Sequence, residues 1–254
     1  LTLRNGLGLL AALLVAALCV RLGFWQLARL EAKRAANREL RAAQAAPVLD
    51  LEPVPRTPAA LTLDSLLHRR ARVGGRYDFS RQILLRGRAH GGVPGVEVVT
   101  PLRLAGRDDA VLVRRGWLPA PDATTARPRD YPEPETALVV GVAEPLPALR
   151  PGERVFRLSG SGEDLLLSAR ELALDSLRAW FPYPLLSFAL RQLPDSGLSA
   201  RPLRLPPSPL AEGMHLSYAV QWFSFAGIIA VGSLVLAFRG RRERERPTNP
   251  IARR

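Results

Sequence analysis

Lysine is nearly missing from this 254-residue chain: Lys33 is the only one, although lysine and arginine together number 36. So one-sided a choice of arginine, beside abundant alanine, points to the base composition of the source genome more than to a binding need. Cysteine is as scarce. Cys19 stands alone, which excludes an intramolecular disulfide and a cysteine-rich metal cage. It sits in an apolar stretch behind Leu18, where a lipoprotein processing site needs a small residue, and reads as buried packing. Catalytic signatures are missing too. There is no G-x-S-x-G elbow, no G-x-x-x-x-G-K-[ST] loop and no H-E-x-x-H pair, so hydrolase and phosphate-loop chemistry have no residues to work with. The glycines of RAHGGVPG are followed by an apolar run and no lysine, and read as a hairpin turn. His90 lies in that turn and His68 beside Arg69 and Arg70, both as solvated loop residues.

What is present is positive charge and two long apolar runs. A net charge of +13 and a pI near 11.3 ask for an anionic partner, nucleic acid or a membrane surface. The arginines are scattered and not interleaved with stacking aromatics, which argues against nucleic acid. Residues 6–28 and 216–238 are each 23 residues long, enough to cross a bilayer at about 1.5 Å per residue if Arg21 reaches toward the interface. No A-x-A pattern stands directly behind the first run, whose helical character continues through WQLARLEAKRAANRELRAA; a retained anchor is therefore expected, with a cleavable signal peptide as the rival reading.

Two crossings place both termini on one side. The tail FRGRRERER argues for a cytoplasmic C-terminus and lipid-headgroup contact, while Arg29, Lys33, Arg34, Arg38 and Arg41 crowd the far end of the first span. Because long domains translocate largely regardless of charge, the short tail outweighs the others and the middle is expected outside the cytoplasm. The expected layout is a span at 6–28, a helical extension and proline-rich linker at 29–62, a β-rich domain at 63–200, a second proline-rich linker at 201–215, a span at 216–238 and a basic tail at 239–254.

Within the middle, ARVGG, RQILLRGR, GVEVVTPLRL, AVLVRRGWL, TALVVGVAEPL and PLLSFALRQL have strand character and turn punctuation. One helix is expected between them. Ser161 caps it, and Leu166, Ala169, Ala173, Leu177 and Trp180 recur at helical spacing until Pro182. The fold class is thus α+β: two terminal transmembrane helices flanking a β-rich extracytoplasmic domain, an antiparallel barrel or sandwich with one helix.

HLSYAVQWFSFAG opens the second span. Its His215, Tyr218, Trp222, Phe225 and Ile229 follow spacings of three and four, an imidazole at the aqueous end with flat rings below. Such a stripe suits a planar macrocycle with the imidazole as axial ligand to its iron, although from spacing alone an ordinary interfacial aromatic belt is the better fit. Gly8, Ala12, Ala16, Cys19 and Gly23 form a small-residue face, matched by Ala226, Ala230, Ser233 and Ala237. Arg21, Trp25 and Arg29 form another stripe, suited to pairing with cofactor carboxylates. Arg21 lies about 200° from Gly23 on an ideal helix, so one straight helix pair cannot use both.

In order, LGFWQLARLEAKRA, RRARVGGRYD, GVEVVTPLRLAGRDDAVLVRRGWLP and HLSYAVQWFSFAG make the chain resemble, over nearly its whole length, the Surfeit locus protein 1 family, called Shy proteins in yeast. The resemblance implies a non-enzymatic membrane factor for cytochrome c oxidase biogenesis, in the inner membrane of a bacterium, with the central domain periplasmic. It implies haem a as cofactor, with haem-synthesis proteins, the oxidase catalytic subunit and membrane lipids as partners. It carries the haem ligand onto His215, the W-Q pair onto Trp25 and Gln26, and structural or partner-facing roles onto Gly116 and Trp117. The cofactor-binding set expected is His215, Tyr218, Trp222, Trp25, Arg21 and Arg29. The family often has asparagine ahead of the histidine and of the R-G-W block; Met214 and Arg114 stand there, which removes one partner for the imidazole.

Overall fold

The computed structural model describes residues 3–51, 66–159, 164–195, 197–207 and 211–244. Ser161, most of the first proline-rich connector and the end of the basic tail lie outside them. The described residues fall into two compact units, a terminal one (residues 1–39 and 209–254) and a central one (40–208).

The terminal unit is built on two helices. Helix α1, Leu3–Ala45, is one rod of 43 residues, about 65 Å at 1.5 Å each, so the apolar run and the Arg/Ala/Glu-rich stretch behind it are continuous. Alanine, leucine, arginine and glutamate all favour helix, and no proline occurs before Pro47. Helix α3, His215–Arg244, has 30 residues. Both are long and apolar enough to cross a membrane. Leu10, Leu14, Leu18, Ile228, Val231 and Leu236 all point outward and are exposed, the arrangement that lipid requires and water penalises.

The central unit is a mixed β-barrel. Its strands are β1 (Leu49–Asp50), β2 (Arg70–Tyr77), β3 (Arg81–His90), β4 (Val93–Leu104), β5 (Ala110–Pro119), β6 (Thr136–Pro145), β7 (Phe156–Ser159), β8 (Leu165–Ala169) and β9 (Leu185–Gln192). Strands β2, β6, β9, β5 and β4 pair in that order, and β4 returns to β2 through Gly75–Leu104 and Tyr77–Leu102, closing a five-stranded ring. Gly75 permits the seam: a Cβ there would stand 2.3 Å from the Arg103 carbonyl oxygen. Strands β3, β8 and β7 extend from β4 as an arm.

All five ring strands contribute to the apolar interior, among them Val73, Leu102, Val113, Val139 and Leu190. Val99, Leu112 and Ala189 point the other way, into a second cluster closed by β3, β8 and the short helix α2, Leu174–Leu177. Both faces of β4 and β5 are therefore buried, which is why their sequences alternate imperfectly.

The six expected strands are present, and Gly91–Gly92 is the two-residue turn of a hairpin in which His90 opposes Val93. Two expectations are corrected. The sheet is not purely antiparallel: β5 with β9, β3 with β8 and β1 with β2 run parallel. The helix expected from Ser161 to Trp180 is strand β8 at its start and helical only at Leu174–Leu177 with a 3-10 turn at Arg178–Trp180. Of the residues at that spacing, strand residue Ala169 and helix residue Leu177 are buried in one cluster with Trp180 packed against it, whereas Leu166 faces the cluster on the other side.

Candidate functional site

Five contacts order the terminal helices as an antiparallel pair. Gly23 is buried, and a Cβ on it would stand 2.7 Å from the ring of Phe223, which also meets Phe24 edge-on at 5.3 Å. One turn outward the imidazole of His215 meets Gln26. Two turns further, Lys33 Nζ donates to the Ala211 carbonyl at 3.0 Å and Arg34 pairs with Glu212 at 3.2 Å. Cys19, Ala219 and Ala226 are buried in the same seam. With no hydrophobic drive between helices in lipid, small residues that admit a ring or a backbone make the contact. The small-residue face is thus used from Ala12 to Gly23 and at Ala226, while Gly8, Ala230 and Ala237 are exposed.

His215 is the first residue of α3 and half-buried, with its Nδ1 2.7 Å from Gln26 Oε1. Met214, where the family often has asparagine, is 65% exposed, so the partner it would supply comes from α1 instead. Gln26 Oε1 can only accept, so this contact selects the tautomer with the hydrogen on Nδ1, in which Nε2 keeps its lone pair. Gln26 is the one hydrogen-bond partner of this ring among the described residues.

The other expected site residues divide. Trp222, seven residues on and half-buried, stands on nearly the same helical face as His215, about 10 Å along the axis, with its ring 6.0 Å from Phe225. Tyr218 and Phe225 are exposed, about 60° and 80° to one side. Trp25 is exposed beneath the Arg29 guanidinium, 5.6 Å from its ring centre. Trp25 and Arg29 lie about 100° and 60° from Gln26, in the sense that an antiparallel pair of right-handed helices turns toward the same side as Tyr218 and Phe225. One face of the pair therefore carries Trp25, Arg29, Tyr218 and Phe225, with His215 and Trp222 at its inner edge. Arg21 is exposed and, about 200° from Gly23, points nearly opposite the seam. The conflict between the two stripes of α1 is resolved: Gly23 packs against α3 and the arginines face out.

Among the described residues no three His, Cys, Asp or Glu side chains gather as a metal cage. A single imidazole with a free Nε2 suits instead a metal that brings its own planar ligand set, and flat rings beside it suit the plane. The donor chemistry fits haem.

In the barrel, Gly116 and Trp117 hold the segment that follows β9. Trp117 N donates to the Leu203 carbonyl and Leu203 N to the Trp117 carbonyl, each at 2.8 Å, while a Cβ on Gly116 (φ +136°) would stand 2.5 Å from the Leu203 oxygen. The buried indole lies 5.7 Å from the Arg201 guanidinium and 5.6 Å from the His90 ring.

Two charge clusters beside them were not read from the sequence. The pairing of β4 with β5 passes from Val98–Gly116 to Val99–Arg114, leaving Arg115 as the extra residue of a bulge. Its side chain turns inward, 1% exposed, to pair with Glu133 at 2.9 Å, and Arg204 pairs with the same carboxylate. Outside, Arg114 and Arg191 clasp Glu97 and Glu144 across four adjacent strands. Burial opposes ionisation of Glu144, but the two guanidiniums outweigh it and hold its carboxyl below the ordinary range. No sequence signal separates Arg114 from Arg115; the bulge alone sends one out and the other in.

These features define a class: a small mixed β-barrel protein carried between terminal helices long and apolar enough to span a membrane, with an imidazole held where the two helices meet. The pattern of the SURF1 family matches residues 13–227, most of the chain, and the protein belongs to that family. It is 30% identical over 110 residues to a SURF1-like protein of Rickettsia felis, the match covering 42% of this chain and 45% of that protein. The chain thus spans about half the length of the curated relative it matches.

Proposed function

We propose that this protein is a biogenesis factor for the haem-copper cytochrome c oxidase, helping haem a reach or enter the catalytic subunit. Family membership supports the oxidase context. The observation that carries the cofactor reading is the His215 imidazole, pinned through Nδ1 by Gln26 with Nε2 left to ligate. When bound, the haem would supply an iron able to accept a ring nitrogen. His215 would hold it through Nε2, Trp222, Tyr218 and Trp25 would wall its plane, and Arg29 and Arg21 would meet its carboxylates.

In this reading residues 6–28 and 216–238 cross the bacterial inner membrane, with linkers at 29–62 and 201–215. The domain at 63–200 is periplasmic, and the tail at 239–254 stays in the cytoplasm against anionic lipid. Handover then involves haem-synthesis proteins on one side and the oxidase catalytic subunit on the other. The protein acts by binding and presentation, without a covalent step of its own.

The test is the full-length, detergent-purified protein with its pigment extracted and identified, beside a His215→Ala form. Haem a in the parent and its loss in the variant support the proposal. An unchanged pigment in the variant removes the ligand assignment. Oxidase subunits co-purifying with both forms, and haem with neither, would make the protein a cofactor-free scaffold for the oxidase instead.

A further inference from the structure

We infer that Gln26 is the positioning residue for His215, and that its neutral carbonyl sets the imidazole's donor strength at a level that lets a metal cargo leave. This rests on the reading of His215 as an axial ligand. The two residues are 189 apart in sequence and meet only because the helices do. Their meeting is fixed on both sides. The buried Gly23 against Phe223 sets the helix approach one turn deeper, and Arg34–Glu212 with Lys33–Ala211 set it two turns outward. The Gln26 amide is therefore preorganised relative to the ring, as a residue acting on ligand geometry must be.

The chemical identity of the partner matters as much as its place. A histidine that ligates a metal has its tautomer, ring plane and basicity set by what its other nitrogen donates to. A carboxylate in that position draws the Nδ1 proton toward itself and makes Nε2 a stronger, more anionic donor. An amide oxygen fixes the same tautomer with a weaker pull. A permanent haem site gains from the stronger donor, whereas a site that must pass its cargo on gains from the weaker one. Glutamine at 26 holds the ring in place without tightening the bond it makes.

The experiment uses the full-length protein in detergent, loaded with iron protoporphyrin IX. Parent, Gln26→Leu, Gln26→Glu and His215→Ala are compared. All replacements at 26 are good helix formers of similar propensity, so α1 is kept. Three quantities are read: the rate of haem loss to excess apomyoglobin, the midpoint potential, and, in the unloaded protein, the tautomer of His215 from nitrogen-15 chemical shifts. Gln26→Leu is expected to lose haem about 10–100-fold faster and to show a mixed tautomer. Gln26→Glu is expected to lose it more slowly than the parent, with a lower midpoint potential. If both variants match the parent in rate, potential and tautomer while His215→Ala abolishes binding, the inference on Gln26 is wrong and the ligand assignment stands. If His215→Ala binds as the parent does, the ligand assignment itself is wrong and the role of Gln26 goes with it.

Discussion

Replacing Glu133 by glutamine removes the one carboxylate between two buried guanidiniums. Arg115 is 1% exposed at its side chain, and Glu133 and Arg204 3% each, so neither arginine can regain water without the barrel opening. At an effective dielectric of about 20, a contact pair near 4 Å is worth about 4 kcal/mol, and Glu133 makes two. Its own desolvation and the mutual repulsion of the two arginines offset part of this. Other acceptors survive: the Tyr131 carbonyl for Arg115 at 3.0 Å, and the Ser199 and Pro202 carbonyls for Arg204 at 2.7 and 2.9 Å. The net cost expected is therefore at the low end of a broken buried pair, about 3 kcal/mol. That corresponds to a roughly 150-fold larger open population. Native-state amide exchange of the full chain reads it at Trp117 and Leu203, whose mutual hydrogen bonds join β5 to the segment bearing Arg204. A change below about 1 kcal/mol at these amides would refute the idea that the triad ties that segment to the barrel.

Three further outcomes are expected. Glu144 has a depressed folded pKa, so its stabilisation is full above the ordinary carboxylate value of 4.5 and fades as pH falls through the lower folded value; the stability gap between parent and Glu144→Gln should close on acidification in pH-dependent urea unfolding. Gly116→Ala forces a Cβ against the Leu203 oxygen at a φ of +136°, and should cost about 1–3 kcal/mol, seen as faster exchange at Leu203. Tyr183 is pushed up by burial and by donating to Asp78 Oδ2 at 2.6 Å, and Tyr77 by burial and Glu133, so two of the four tyrosines should stay un-ionised in an alkaline absorbance titration until the barrel unfolds.

The rods and six of the strands are legible because their signals are local. Apolar length marks α1 and α3, and short apolar runs broken by glycine and proline mark β2 to β6 and β9. LLLSA at 165–169 defeats this reading, since a short unbroken apolar run fits a strand or a helix equally and its parallel pairing with β3 is invisible locally. The closure of the ring and the inward turn of Arg115 depend on which strands meet, and a one-residue bulge has no signature in VRRGW. At the helix pair, spacing finds His215 and Trp222 but not their partner. Gln26 stands out only as half of a family motif; its contact with His215 depends on the register of two segments 189 residues apart. The spacing also sets the arginine stripe of α1 against its small-residue face, and the structure keeps them apart: Gly23 takes the seam and the arginines face away from it.

The most direct test of the account is pulsed electron paramagnetic resonance of the haem-loaded, full-length protein in which only histidine carries nitrogen-15. A nitrogen-15 coupling to the ferric iron is expected in the parent and is lost in His215→Ala. An iron signal without that coupling, or a coupling that survives the substitution, would contradict it.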